Sequence, residues 1–214
     1  MLKTASEMKE IDSKAINELG ISSTLLMENA ANGLTGLIEV CCRNLAEPYV
    51  LIVIGSGNNG GDGIAAARIL YKKGIKTDVV LVGSREKMTA DSLEMERRLL
   101  ACGSSTVMDA SELESALKEC NVIVDCIFGV GLNREVSGKY RKVIELMNRK
   151  DAVKIACDIP SGINADTGEV MGCAFRADAT ATFTCGKPGL YQKEGAKAAG
   201  NVVIVPIGIP EELL

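Results

Sequence analysis

A chain of 214 residues with a formal net charge of −4 and 47% apolar residues is long enough to build one core of its own. A chain of this size buries roughly 70% of its unfolded surface and needs no disulfide or structural metal to do so. The acidic balance excludes the basic excess of a nucleic-acid binder, and apolar runs such as Tyr49–Ile54 are strand-length, too short to cross a bilayer. Met1-Leu2-Lys3 leads directly into a polar, amphipathic segment without the pattern of a secretory signal, so a cytoplasmic location is expected.

Histidine is absent. That removes Ser-His-Asp and Cys-His catalysis and histidine zinc sites, and leaves proton transfer to Asp, Glu, Lys, Tyr, Cys or water. The eight cysteines include the adjacent pair Cys41 and Cys42 and no Cys-x-x-Cys, so they read as buried free thiols rather than a disulfide framework.

In chain order, Thr4–Leu19 sets Met8, Ile11, Ile16 and Leu19 on one helical stripe and stops at Gly20. Ser22 or Ser23 can cap a second helix running to about Leu45. After Pro48 the pattern changes to short apolar runs alternating with amphipathic stretches. Strands are expected at Tyr49–Ile54, Asp78–Val82, Ser105–Met108 (weakly), Val122–Asp125, Val153–Cys157, Ala179–Phe183 and Val202–Val205. Helices are expected at Ile64–Lys73, Thr89–Ala101, from a capping box at Ser111-x-x-Glu114 to Cys120, and at Lys139–Asn148.

Strands alternating with helices imply parallel β-α-β units with right-handed crossovers. The expected architecture is one domain over residues 1–214: a Rossmann-like, doubly wound, mostly parallel sheet with helices on both faces, in three α/β/α layers. With the order 3-2-1-4-5, the first and fourth strands flank the point where winding reverses, and ligands bind in the crevice there.

Three loops open onto that crevice. The first, Gly55-Ser56-Gly57-Asn58-Asn59-Gly60-Gly61-Asp62-Gly63, contains G-x-G-x-x-G between a strand and a helix, the context in which glycines admit positive φ and let backbone amides approach a pyrophosphate. No Lys-Ser/Thr follows, which argues against a Walker A loop. The end of the second strand, Gly83-Ser84-Arg85, lacks the acid that ordinarily binds an adenosine ribose, so a dinucleotide is expected in a different orientation from that in a dehydrogenase. The second loop follows Asp125 and runs through Gly129, Gly131 and Arg134; the third follows Asp158 and carries Pro160-Ser161-Gly162. Asn59, Asp125 and Ser161 offer hard oxygen ligands, which suit a weakly charged hard cation better than a transition metal.

Together these blocks resemble the NAD(P)H-hydrate epimerase family, the YjeF N-terminal domain. The matching pieces are Asn58-Asn59-Gly60-Gly61-Asp62-Gly63, Asp125-x-x-Phe128-Gly129-x-Gly131-Leu132-x-Arg134, Asp158-Ile159-Pro160-Ser161-Gly162, and Thr182-Phe183 followed by Lys187-x-Gly189. Asn164 departs from the Asp that family members often carry there. The resemblance implies epimerisation at C6 of hydrated nicotinamide cofactors, NADHX and NADPHX, with a potassium ion on Asn59, Asp125 and Ser161. It implies substrate contacts at Asn58, Asn59, Gly60, Gly61, Asp62, Gly129, Val130, Gly131, Leu132, Asn133, Arg134, Glu135, Tyr140 and Asp158. Asp158 is expected to handle the proton, and Lys187 to orient it or to contact phosphate. The family also implies a homodimer, and fusion to or partnership with an ADP- or ATP-dependent hydrate dehydratase. Two rival readings remain: an oxidoreductase, disfavoured by the missing ribose-binding acid, and a non-catalytic nucleotide-binding or scaffold module of the same fold.

Overall fold

A computed structural model describes residues 1–103 and 107–214. Two helices lead, α1 (Ala5–Asn17) and α2 (Ser23–Cys42). Thr4 caps α1 in a reciprocal capping box with Glu7, satisfying donors that the first turn would leave free. The alternating part follows: β1 (Tyr49–Ile54), α3 (Asn58–Lys72), β2 (Lys76–Leu81), α4 (Ala90–Leu100), β3 (Met108–Asp109), α5 (Leu113–Glu119), β4 (Val122–Cys126), α6 (Gly138–Arg149), β5 (Val153–Cys157), β6 (Ala179–Phe183), α7 (Lys193–Ala198) and β7 (Asn201–Val205).

The strands form a seven-stranded sheet in the order β3-β2-β1-β4-β5-β6-β7, every neighbouring pair parallel. Alternation along β1 divides the core between the two faces. Val50, Ile52 and Ile54 pack with the apolar sides of α2, α3 and α4, while Leu51 and Val53 pack with those of α5 and α6. All five are fully buried, as a central parallel strand covered on both faces must be. Winding reverses between β1 and β4, which pair from Val50↔Val122 to Ile54↔Cys126. The backbone follows this pairing one step further, Gly55 N–H donating to Cys126 O at 3.1 Å, before the two chains diverge.

Four features differ from the sequence expectation. First, α3 begins at Asn58 rather than Ile64, so most of the glycine run is helix, not loop. Gly57 is its extended N-cap, and no glycine from Gly55 to Gly63 has positive φ. These glycines serve close packing rather than unusual backbone angles. Second, the Ser111-x-x-Glu114 capping box does not form. A short 3-10 turn (Ala110–Glu112) precedes α5, whose N-cap Glu112 makes no side-chain cap bond. Third, β3 is the short pair Met108–Asp109, and Ser105 of the expected strand lies outside the described residues. Fourth, α7 has only six residues, too few for its pattern to stand out in the sequence. The cysteines are free throughout.

Candidate functional site

The carboxyl ends of β1, β4 and β5 open into a cavity of about 900 Å³, a size suited to a substantial ligand. Its inner end is organised around Asp158. This residue follows β5 with φ 66°, a left-handed backbone that Asp tolerates better than most side chains. The turn is fixed by Asp158 N–H donating to Ala181 O at 2.7 Å. Lys187, 1% exposed, stands behind the carboxylate. Its Nζ donates to Asp158 Oδ1 at 2.7 Å, to Thr182 Oγ1 at 2.9 Å and to Phe183 O at 2.9 Å. All three ammonium donors are therefore used, which a buried lysine requires. The second carboxylate oxygen, Asp158 Oδ2, accepts from Val130 N–H at 3.3 Å and lines the cavity. Lys187 is thus an orienting cation, not a surface charge.

Beside Asp158 lies the start of α3. Asn58, Asn59 and Asp62 line the cavity, and the first turn of this 15-residue helix brings its positive dipole end there. Gly60 and Gly61 do not line it. A Cβ on Gly60 would lie 2.2 Å from Gly55 O, and one on Gly61 would lie 2.7 Å from Met27 Sδ, so both allow α3 to seat closely. The loop after β4 supplies Gly129, Val130, Gly131, Leu132, Asn133 and Arg134 to the cavity wall, with Tyr140 from α6. A Cβ on Gly129 would meet Asp158 Oδ2 at 3.0 Å and Asn59 Oδ1 at 3.4 Å, so the bare backbone leaves that space to a ligand. Glu135 instead lines a smaller recess of about 220 Å³ beneath Phe128 and Tyr140.

Asp125 and Ser161 sit one layer deeper, both fully buried. Ser161 N–H donates to Asp125 Oδ2 and Ser161 Oγ to Asp125 Oδ1, each at 2.7 Å, while Ile127 N–H donates to Oδ1 at 3.1 Å. Burial pushes the Asp125 carboxyl up to about 6 against these bonds. No basic side chain compensates it among the described residues. Asn59 shows a complementary shortfall: both its Oδ1 and Nδ2 are buried without a hydrogen-bond partner among the described residues. An uncompensated buried carboxylate, a hydroxyl and an orphaned amide oxygen are hard donors of low total charge, and they fit a monovalent hard cation.

Several cavity residues escaped the sequence reading. Helix α1 contributes Met8, Asp12 and Ile16, and the segment after β2 contributes Ser84, Lys87, Thr89 and Asp91, with Lys139 from α6. The spacing of Met8, Asp12 and Ile16 puts them on one helix face, so an acid on an otherwise apolar stripe was the available signal. Burial raises the Asp12 carboxyl above its ordinary value, and Asp158 raises it further while Lys187 opposes. Asp62 is driven well up by burial, then by Asp158 and Asp12.

A parallel sheet wound in both directions from β1 and β4, with a cavity across the reversal point, defines a Rossmann-like α/β protein, a class whose ligands bind at that switch point. The chain belongs to the family described as YjeF-related protein N-terminus, whose model matches residues 23–189. Among its relatives, the NAD(P)H-hydrate epimerase of Limosilactobacillus reuteri is 41% identical over 201 residues, covering 94% of this chain and 92% of that protein. The NAD(P)H-hydrate epimerase of Weissella koreensis is 40% identical over 215 residues, covering 98% and 93%. The bifunctional NAD(P)H-hydrate repair enzyme Nnr of Dictyoglomus turgidum is 37% identical across 100% of this chain, which spans 41% of that longer protein. The crystal structure of yeast ynu0 (YNL200c) has the same fold, with a TM-score of 0.79 at 21% identity over 95% of this chain and 87% of that one.

Proposed function

We propose that the protein is an NAD(P)H-hydrate epimerase, an isomerase that interconverts the R and S forms of NADHX and NADPHX at C6. Full-length similarity of about 40% to proteins of that name supports the activity. The structural observation that carries it is the Lys187–Asp158 pair, a buried cation holding a carboxylate at the wall of a dinucleotide-sized cavity. C6 of the hydrate bears a hydroxyl next to the ring nitrogen. When that oxygen takes a proton and leaves as water, the nitrogen lone pair closes a conjugated cation. Water adding to the opposite face inverts the centre and releases one proton. The net change is zero, so the site needs a proton carrier and a positioned ring but no oxidant.

Asp158 is assigned the proton, with Lys187 as its positioning residue. The amino-terminal turn of α3 and Arg134 suit the pyrophosphate. Asn59, Asp125 and Ser161 would hold a potassium ion, which when bound supplies fixed positive charge that orders the loops after β1, β4 and β5. The protein is proposed to work as one domain and as a homodimer in the cytoplasm, alongside a hydrate dehydratase that removes water from the hydrate. No helix of the described residues is long and apolar enough to cross a membrane.

The deciding experiment is chromatographic separation of R- and S-NADHX after incubation with the protein. Equilibration faster than the spontaneous rate is expected. An unchanged rate with bound NADHX would instead indicate a binding module.

A further inference from the structure

The inner end of the cavity gathers three carboxyl groups around one buried cation, Lys187. Asp12, Asp62 and Asp158 all line the cavity, and the first two are raised by burial and then by the field of Asp158. Lys187 is committed to Asp158. The Asp12 and Asp62 carboxylates receive no hydrogen bond from the described residues. Both are half-buried, and unpaired carboxylates held partly out of water are costly, so proteins keep them where they serve function. A second shortfall lies next to them. The buried Asn59 amide has no partner and borders Asp158 across Gly129. Both point to a polar ligand that completes the site.

The placement of Asp12 is enforced by the same loops that hold the pair. Lys3 N–H donates to Gly186 O at 2.9 Å, beside Lys187, and Ala5 N–H donates to Asp166 Oδ1 at 2.7 Å in the loop that follows Asp158. Met8 and Ile11 then pack on Cys185. Helix α1 is therefore clamped against the reactive end, although it lies outside the stretch matched by the family model.

We propose that Asp12 is a catalytic residue supplied by α1, which stabilises the positive charge developing on the substrate ring as the C6–O bond breaks. This rests on the hydrate-epimerase reading. The division of labour is electrostatic: Asp158 moves the proton, while the Asp12 carboxylate offers negative charge to a cation that neither the ground state nor the product carries. Such interactions accelerate the chemical step because they strengthen only in the transition state.

The test uses Asp12→Asn and Asp12→Glu in the full chain, assayed for R/S-NADHX interconversion over a range of potassium chloride and for thermal unfolding. For Asp12→Asn, kcat should fall about a hundredfold to a thousandfold, the range for losing one preorganised electrostatic contact. KM should stay within about threefold, as expected for an interaction confined to the transition state. The unfolding midpoint should hold or rise, since an uncompensated charge is gone. Asp12→Glu should recover part of kcat. Unchanged kcat in Asp12→Asn with an active wild type overturns the proposal alone. So does a loss of kcat accompanied by a lower midpoint and no recovery in Asp12→Glu, which marks a structural role. A shift in the potassium requirement at constant maximal rate also overturns it, because the acids would then serve the ion. A wild type that does not interconvert the epimers removes the underlying reading and this proposal with it.

Discussion

The two ends of the cavity are built on opposite physical terms. At the inner end Asp158 and Lys187 are 8% and 1% exposed, and the lysine is locked by three hydrogen bonds. At the outer end Lys87, Arg134 and Lys139 are exposed, and the one bond formed by Lys139 is a 3.2 Å contact to Gly83 O. Charges at the inner end act through a water-poor medium and are unforgiving of change. Those at the outer end are screened and replaceable. Chemistry is therefore expected inside and binding tolerance outside, and mutations should sort by position along this axis.

The largest effect should come from breaking the inner pair. Lys187→Met leaves Asp158 buried without its cation, which costs about 3–5 kcal/mol when one partner of a buried ion pair is removed. Urea unfolding should show this loss, with epimerisation falling to background. Retention of both would mean that solvent reaches the carboxylate freely.

Gly129→Ala sharpens the comparison by touching the ligand space while leaving the pair intact. The new Cβ would lie 3.0 Å from Asp158 Oδ2 and 3.4 Å from Asn59 Oδ1. Backbone strain is not at issue, because Gly129 has no positive φ. Stability should fall by about 1–3 kcal/mol, the range for small overpacking, while KM for NADHX rises. A normal KM would place the ligand elsewhere.

The acids allow a pH test of the inner end. Because the Asp12 carboxyl is raised, chiefly by burial, the folded chain holds a proton between the ordinary aspartate value and the raised one that the unfolded chain has already released. Stability contributed by this group therefore falls as pH rises above about 4, the ordinary aspartate value, until the folded-state value is passed. Asp12→Asn lacks this dependence. The two proteins should match in unfolding free energy near pH 3.5, and the variant should gain on the wild type as pH rises to 7. A wild type that stays level with the variant at pH 7 would show that Asp12 is compensated after all.

Legibility in the sequence follows the same axis. The central strands were readable because β1, β4 and β6 are short apolar runs buried almost throughout, and Val153–Cys157 and Ala179–Phe183 were expected with the bounds observed. The three loops were readable because Asp125, Asp158 and the Asn-Gly run stand at strand ends. The start of α3 was not: glycine lowers helix propensity, and only the tertiary contacts of Gly60 with Gly55 and of Gly61 with Met27 explain why glycines are helical there. Lys187 could not be recognised as buried, since nothing in Cys185-Gly186-Lys187-Pro188 distinguishes an orienting lysine from a surface one. Asp12 was hidden for a different reason. Its role depends on where α1 docks, and that is set by Gly186 and Asp166, more than 150 residues away in the chain.

The smallest effect belongs to the outer rim. Lys139 lies beside the end of β2, where the ribose-binding acid of ordinary dinucleotide folds is missing, and Lys87 shares that part of the wall. Cations there favour the phosphate-rich half of a dinucleotide over a bare ribose. Because Lys139 is exposed, Lys139→Ala should weaken binding by about 0.2–1 kcal/mol, the range for solvent-facing charge pairs. The loss should be greater for NADPHX, with its additional phosphate, than for NADHX, and it should vanish as salt shortens the screening length to about 3 Å at 1 M. Turnover at saturating substrate should not change. The comparison breaks if the loss survives 1 M salt or appears in kcat, since the rim would then be coupled to the inner end rather than screened from it.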